Sequence, residues 1–289
     1  MIQQEASEKE HWDLVIKPKS RLFELHLKDV WNYRDLLMLF VKRDFTAQYK
    51  QTILGPLWHL VQPVLTTIIF LFLFGRVAKM DTDGIEPTLF YLSGITIWNY
   101  FATCLTNTSN TFVNNASIFG KVYFPRLVIP LSVVISNIVR FGIQFLLLLS
   151  FMIVYYIIKG IPIEFGWLWL FVPVIIIVMA GMSLGLGIII SALTTKYRDL
   201  TFLLGFAVQL GMYATPIAFP SSYLEGTGYS WVVKVNPLSS IVESFRYCLF
   251  RKGTVDVNDI LYSLVFTLVV IGIGLLIFNK VEKDFMDTV

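Results

Sequence analysis

The sequence has few charged residues and few groups that could carry out chemistry by themselves. Only 15% of its 289 residues are charged, whereas 56% are hydrophobic, a composition that excludes most soluble domains of this length. It contains no G-x-x-x-x-G-K-[ST] loop, so it lacks that means of binding and hydrolysing ATP. It also contains no H-E-x-x-H or paired metal-ligand spacing. We therefore expect no catalytic residue, cofactor or metal in this chain.

The two cysteines and the small net charge exclude further classes. Cys104 lies within an apolar run and Cys248 lies far from it, so no disulfide framework is indicated. The net charge of +3 is too small to indicate a nucleic-acid partner. The first 50 residues contain no apolar core followed by a small-residue cleavage site. We expect the first apolar segment to be retained as a membrane anchor.

Long apolar runs dominate the sequence. A helix needs about 20 mostly apolar residues to cross a hydrocarbon core of about 30 Å, and a helix satisfies its own backbone hydrogen bonds in lipid. Six segments meet this requirement: Leu57–Phe74, Phe90–Val113, Leu127–Ile158, Trp167–Leu193, Thr201–Phe219 and Ile260–Phe278. The sequence therefore predicts an all-α polytopic membrane protein with six transmembrane helices over residues 57–278.

Basic residues set the predicted orientation. Nine Lys and Arg residues precede the first span, and Lys121, Arg126, Lys196 and Arg198 lie in the even-numbered connections. The opposite connections carry acidic residues, including Asp81, Asp83, Glu86, Glu164, Glu225 and Asp256. By the positive-inside rule, both the N-terminal extension of residues 1–28 and the tail of residues 279–289 are predicted to be cytoplasmic.

Residues 29–56 have the pattern of an amphipathic helix that leads into the first span. Asp29 can cap a helix that begins near Val30. Apolar side chains then recur at helical spacing: Leu37, Phe40, Val41, Phe45 and Tyr49. We favour a helix at the membrane interface with its basic face near lipid headgroups. The alternative is a soluble cap helix packed on the bundle.

The connection between the fifth and sixth spans, residues 220–256, is too apolar for a solvated loop. Gly226, Gly228 and Pro237 interrupt it, so it cannot cross as one helix. A re-entrant pair of half-helices that enters the outer leaflet and returns fits this pattern, provided that protein or a water-filled cavity covers its backbone.

The second span has a polar face. Its hydrogen-bonding side chains recur every three or four residues: Thr96, Asn99, Thr103, Thr106, Asn110 and Asn114. Such a stripe must face protein or water, because exposing it to lipid is costly. Two interpretations remain open. The stripe could join helices by hydrogen bonds, or it could line a polar conduit whose amide and hydroxyl groups match those of a sugar chain.

Small residues and one arginine complete the features within the spans. Gly181 and Gly185 form a small-xxx-small pair that favours close helix packing, and Gly272 and Gly274 are interpreted in the same way. Arg140 lies inside the third run. It could lie at the cytoplasmic edge, or it could face the bundle interior and meet an anionic substrate.

Four motifs in order resemble those of the permease subunits of polysaccharide ABC exporters, which export O-antigens, capsules and teichoic acids. The similarity runs from about residue 30 to the end of the chain. The motifs are Arg43-Asp44-Phe45 with Tyr49 to Trp58 and Pro63, then Lys121 to Arg126, then Tyr197-Arg198-Asp199-Leu200, and then Asn236-Pro237-Leu238 with Glu243 and Arg246.

This resemblance implies a homodimer in a bacterial inner membrane, with a separate ATPase subunit docked beneath each copy and binding the ATP and Mg. The basic-aromatic segment within residues 115–126 looks like the loop that couples the permease to that ATPase. The residues implied in coupling are Lys121, Tyr123, Phe124, Pro125, Arg126, Tyr197, Arg198 and Asp199.

The substrate implied by the resemblance is a lipid-linked glycan, taken from the cytoplasmic leaflet through a continuous channel. Aromatic residues commonly line that path in the family, which adds Trp98 and Tyr91 to the polar stripe as candidates. Arg43, Lys50 and Arg140 are candidate contacts for the phosphate of the lipid carrier.

Two alternative functions remain at this point. A permease of the same broad fold could export small drugs or lipids, because the entry segment and the coupling loop fit both. A membrane sensor or anchor that transports nothing is the other alternative, although it would not need the polar stripe.

Overall fold

The computed structural model describes residues 27–50, 52–53, 55–119, 124–197, 199–224 and 226–288, which are helical without any strand. The predicted N-terminal extension lies outside these residues up to position 26. The helices are α1 Leu27–Asn32, α2 Arg34–Tyr49, α3 Trp58–Phe70, α4 Pro87–Ser109, α5 Thr111–Phe119, α6 Val128–Lys159, α7 Val172–Lys196, α8 Leu200–Ala214, α9 Ser230–Val235, α10 Pro237–Phe250 and α11 Val257–Thr288.

Four helical segments of the described chain are long and apolar enough to cross a membrane. They are Gly55–Val77, Val128–Lys159, Trp167–Thr194 and Val257–Lys280. These segments confirm the predicted first, third, fourth and sixth spans to within a few residues. The first of them ends in a π-helical turn over Leu71–Val77, a widened geometry that the apolar pattern does not reveal.

The other two predicted spans differ from the expectation. The sequence predicts a fifth span that reaches Phe219, but α8 ends at Ala214 after 15 residues. It also predicts a second span that reaches Val113, but α4 ends at Ser109, and the chain continues after Asn110 as the separate helix α5. At this break, the Asn110 side chain donates to the Thr106 carbonyl at 2.9 Å. The number of six crossings stays a prediction.

Helix α4 lies at the centre of the fold. It packs against α3, α6, α7, α8 and α10. Its large side chains are almost fully enclosed, including Phe90 at 1% exposed and Tyr91 and Ile97 at 0%. Because apolar burial is the main stabilising contribution, the rest of the bundle is arranged around this helix, which also carries the polar stripe.

Helices α7 and α11 approach closely at glycines, as the small-residue pattern predicts. A Cβ atom on Gly185 would lie 2.9 Å from the backbone of Val270 and Ile271, and one on Gly274 would lie 2.9 Å from the Gly185 carbonyl oxygen. Gly181 faces Ile271 in the same interface. The prediction for Gly272 is wrong, because no neighbouring atom lies within 4 Å of a Cβ there.

The N-terminal helix α2 packs along α6 and buries Leu37, Phe40 and Val41. Its opposite side exposes Met38 and Leu39, at 58% and 60%. One face of α2 therefore packs on the bundle, as the alternative interpretation of a cap helix predicts. An interfacial position for the other face stays a prediction.

The connection after α8 contains the predicted pair of helices. α9 and α10 are separated by Asn236, whose side chain accepts a hydrogen bond from the Leu238 backbone N–H at 3.0 Å and so caps α10. Pro237 occupies the first helical position, where its missing N–H has no cost. Entry of this pair into the outer leaflet stays a prediction.

The two ends of the bundle differ in character. At one end, α2, α5, the start of α6 and the later part of α11 form an apolar cluster in which Phe40 meets Phe124 and Phe112 stacks on Phe278. We call this the α2 end. At the other end, which we call the loop end, an ion pair joins Lys159 to Glu86 at 2.7 Å.

Candidate functional site

The polar stripe of α4 changes from buried to exposed along its length. Thr96 is fully buried and donates to the Leu92 carbonyl at 2.8 Å. Asn99, Thr103, Thr106 and Asn110 are half-buried, and Asn114 in α5 is exposed. The break at Asn110 divides the stripe between two helices, so the predicted single row of six side chains is not continuous.

Part of the stripe meets polar groups on α6. The Asn99 amide lies 3.5 Å from the side-chain oxygen of Gln144, which is 7% exposed. Buried polar side chains continue along α6 toward the α2 end as Asn137, Ser136 and Ser132. This pairing supports the helix-joining interpretation for Asn99. A conduit role for the stripe stays a prediction.

The predicted path-lining aromatic residues lie in the core of the single chain. Tyr91 is 0% exposed and Trp98 is 4% exposed. Tyr91 packs edge-on against Phe70 and Phe90, while Trp98 packs against Phe101. Their contribution to a transport path stays a prediction, and it would require a rearrangement or a surface shared with another copy.

The described part of the predicted coupling loop is anchored to the bundle. Phe124 is 4% exposed and packs against Phe40 of α2, with the ring centroids 5.8 Å apart. Arg126 is 6% exposed. The carbonyl of Pro125 accepts from the Val128 N–H at 3.0 Å and so turns the chain into α6. Lys121 and Tyr123 lie outside the described residues.

This burial refines the interpretation of the predicted coupling loop. Phe124 and Arg126 lie in positions that fix the loop to α2 and α6, so their direct contact with an ATPase stays a prediction. In the second connection, Tyr197 is 51% exposed and Asp199 is exposed beside the start of α8, while Arg198 lies outside the described residues. Asp199 makes no side-chain capping bond to α8.

The three candidate phosphate contacts have different surroundings. Arg43 is engaged, because it forms an ion pair with Asp44 at 2.8 Å, lies 3.4 Å from the Asn115 side-chain oxygen and covers the Phe40 ring at 4.7 Å. Lys50 is exposed at the end of α2.

Arg140 is half-buried and lies beside Tyr49, near the point where α2 leads into α3. Its Nη1 donates to the Asn137 side-chain oxygen at 2.8 Å. Its Nε is buried without a hydrogen-bond partner among the described residues. Arg140 therefore lies beside the end of α2, and its Nε–H could still donate a hydrogen bond to an anion. This position is consistent with the predicted contact to the phosphate of the lipid carrier.

Sequence reasoning missed the role of Arg246. This residue of α10 is 3% exposed, donates to the carbonyls of Pro216, Ile217 and Phe90, and lies over the Phe90 ring. Glu243, one turn earlier, accepts from the Ser221 N–H at 2.9 Å. The two residues fix α10 to α4 and to the chain that follows α8. The sequence does show Arg246 as a charged residue inside an apolar connection. It does not show which groups Arg246 contacts, because they are distant in sequence.

Comparisons with known proteins find a matching family model and several similar proteins. The family model described as ABC-2 type transporter matches residues 35–250. An O-antigen export system permease protein, RfbA, from Klebsiella pneumoniae is 34% identical over 88% of this chain and 94% of its own length. A protein of the same name from Myxococcus xanthus is 24% identical over 91% of this chain and 98% of its own length. The polysialic acid transport protein KpsM of Escherichia coli is 21% identical over 83% of this chain and 91% of its own length.

Proposed function

The chain belongs to the ABC-2 type transporter family of membrane proteins, and from this premise we propose that it is the membrane-spanning subunit of an ATP-driven polysaccharide exporter. The observation that carries the proposal is its similarity, along nearly all of its length, to relatives named as O-antigen export permeases. Those names favour a polysaccharide over a small drug or lipid as the substrate. They also favour a transport subunit over a membrane sensor.

The proposed energy source is a separate ATPase subunit. The chain contains no phosphate-binding loop of the Walker type. We place the docking surface at the α2 end, where Phe124 and Arg126 are buried and Asp199 is exposed. In this arrangement, the buried loop residues transmit movement of the docked ATPase to α2 and α6, against which they pack.

The proposed assembly is a homodimer of six-crossing subunits in the inner membrane with both termini cytoplasmic. Helix α8 supports a partner surface: Leu204 is its one buried hydrophobic residue, while Phe202, Phe206 and Leu210 are 78%, 66% and 67% exposed. A second copy or lipid must cover such an apolar surface. A surface shared by two copies is also where a path wide enough for a sugar chain would run.

The proposed substrate is a glycan attached to a lipid carrier. The lipid phosphate would meet Arg140 and Lys50 at the end of α2, where the Arg140 Nε has no hydrogen-bond partner among the residues that the structure describes. The exposed apolar side chains of Trp31 in α1 and of Met38 and Leu39 in α2 would lie beside the lipid chains.

Deletion of the gene tests this function. Surface glycan and intracellular lipid-linked glycan are measured in the deletion strain and in the strain complemented with the intact gene. Export predicts loss at the surface, accumulation of lipid-linked glycan inside, and restoration of both by complementation. An unchanged surface without internal accumulation would contradict the proposal.

A further inference from the structure

A polar cleft opens at the loop end of the bundle, where α9, α10 and the start of α11 meet. Its volume is 520 Å³, within the range of about 300–1,000 Å³ that is usual for ligand sites. Exposed residues, including Lys234, Thr254 and Tyr262, form its mouth, and the buried Ser239 and Ser263 line its inner part. The cleft therefore connects solvent to a buried polar surface.

Hydroxyl groups connect the two walls of the cleft. Ser240 of α10 donates to the Asp259 backbone carbonyl at 3.0 Å, and its hydroxyl lies 2.6 Å from that of Ser263. Ser263 donates to the Pro237 carbonyl at 2.6 Å. Tyr262 donates to the Val235 carbonyl at 2.9 Å. These bonds fix α10 and α9 to α11, so the cleft is held in shape without a ligand.

The charged groups of the cleft retain hydrogen-bonding capacity. Glu243 accepts from Ser221 and Asp256 accepts from the Asn258 N–H, each through one carboxylate oxygen. The Asp259 carboxylate and the Lys234 ammonium form no ion pair or hydrogen bond with any described residue. Three carboxylates and one ammonium line the same cleft, which makes it acidic.

One buried hydroxyl of the cleft lacks a partner. Ser239 is 2% exposed and lines the cleft, and its Oγ makes no hydrogen bond within the described chain. Leaving such a group unsatisfied is costly. A ligand that can both donate and accept hydrogen bonds would satisfy it.

We propose that this cleft is a saccharide-binding subsite selective for neutral sugar units. Sugar hydroxyls donate to carboxylates and accept from lysine and serine, so they match the groups present. The partly exposed ring of Tyr262 offers a flat apolar surface to a sugar face. Excess negative charge disfavours acidic sugars. The subsite rests on the proposed function, and the predicted orientation places it at the exit side of the membrane.

Binding to the purified, full-length transporter in nanodiscs tests the subsite. The probes are oligosaccharides released by mild acid from the cells' own surface polysaccharide and separated by anion exchange into neutral and acidic fractions. Isothermal titration calorimetry gives a Kd for each fraction. We expect the neutral fraction to bind more tightly than the acidic fraction.

Three variants test the residues. Asp259→Asn is expected to weaken binding about tenfold, because it replaces a charged acceptor oxygen by an amide donor. Ser239→Ala is expected to weaken binding about fivefold, because it removes the hydroxyl that would bond to the ligand. Thr254→Trp, at the exposed mouth, is expected to abolish binding by occupying the cleft. Ser244→Ala is the matched control, because Ser244 is also a buried serine of α10 with an unpartnered hydroxyl but does not line the cleft.

An equal Kd for wild type and all four variants would overturn the subsite, as would tighter binding of the acidic fraction. Export is measured in parallel in cells. If the wild-type chain restores export but binds neither fraction, the subsite is wrong and the proposed function stands. If the wild-type chain does not restore export, the proposed function itself fails.

Discussion

Arg246 of α10 lies with its guanidinium carbon 3.6 Å from the centre of the Phe90 ring of α4, and its Nη2 donates to the Phe90 carbonyl at 3.3 Å. A single side chain thereby joins the helix pair after α8 to the central helix. Stacking and hydrogen bonding from one planar cation are characteristic of arginine and cannot be reproduced by lysine.

We expect Arg246→Leu to destabilise the protein by more than about 3 kcal/mol, because the carbonyls of Pro216, Ile217 and Phe90 lose their donor. Arg246→Lys should recover part of this loss. The measurement is the Tm of the protein in nanodiscs. The control is Arg251→Gln, whose partner Glu164 lies 3.6 Å away at an exposed position and contributes about 0–1 kcal/mol. Equal Tm values for Arg246→Leu and Arg251→Gln would contradict the role of Arg246.

Two glycine substitutions should have opposite effects. Gly185→Ala places a methyl group 2.9 Å from the backbone of Val270 and Ile271, and such overpacking costs about 1–3 kcal/mol. Gly272→Ala has open space around it and should stabilise α11 by about 0.5–1 kcal/mol. Thermal unfolding of the two variants checks this prediction, which fails if both move the Tm in the same direction.

The Asn99 and Gln144 pair separates the two interpretations of the polar stripe. Asn99→Leu leaves Gln144 without its partner and should destabilise the bundle, while the double variant Asn99→Leu/Gln144→Leu should recover stability because both polar groups are removed. A double-mutant cycle of Tm values measures the coupling. Export by the double variant is measured as well. Normal export favours helix joining, whereas lost export in a stable double variant favours a conduit.

The two predicted coupling segments should respond differently. Phe124→Ala removes a buried ring that packs on Phe40 and should lower stability by about 3–5 kcal/mol. Asp199→Lys alters an exposed residue and should lower the transport-coupled ATPase activity of the complex without changing the Tm. Unchanged ATPase activity in a stable Asp199→Lys complex would contradict docking at the second connection.

The sequence predicts the long apolar helices well, since their length is imposed by the bilayer itself. The predicted Leu127–Ile158 and the observed Val128–Lys159 differ by one residue at each end. Pro237 and the two glycines also correctly indicate a broken connection after α8. These features depend on local composition, which a single sequence contains.

Features set by distant contacts could not be predicted in the same way. The break at Asn110, where the side chain donates to the Thr106 carbonyl, leaves no trace in the apolar periodicity of the sequence. The burial of Phe124 depends on Phe40, 84 positions earlier in the sequence. In the sequence, Arg246 is only a charged residue in an apolar segment. The structure explains its presence, because it donates to the carbonyls of Phe90 in α4 and of Pro216 and Ile217 after α8.

Reconstitution tests the central claim most directly. The purified chain and its ATPase partner are placed in proteoliposomes with the lipid-linked glycan extracted from the deletion strain, and glycan protected inside the vesicles is measured with and without ATP. The account predicts protected glycan only when the chain, the ATPase and hydrolysable ATP are all present. An assembled complex that hydrolyses ATP but leaves the glycan entirely outside would contradict it.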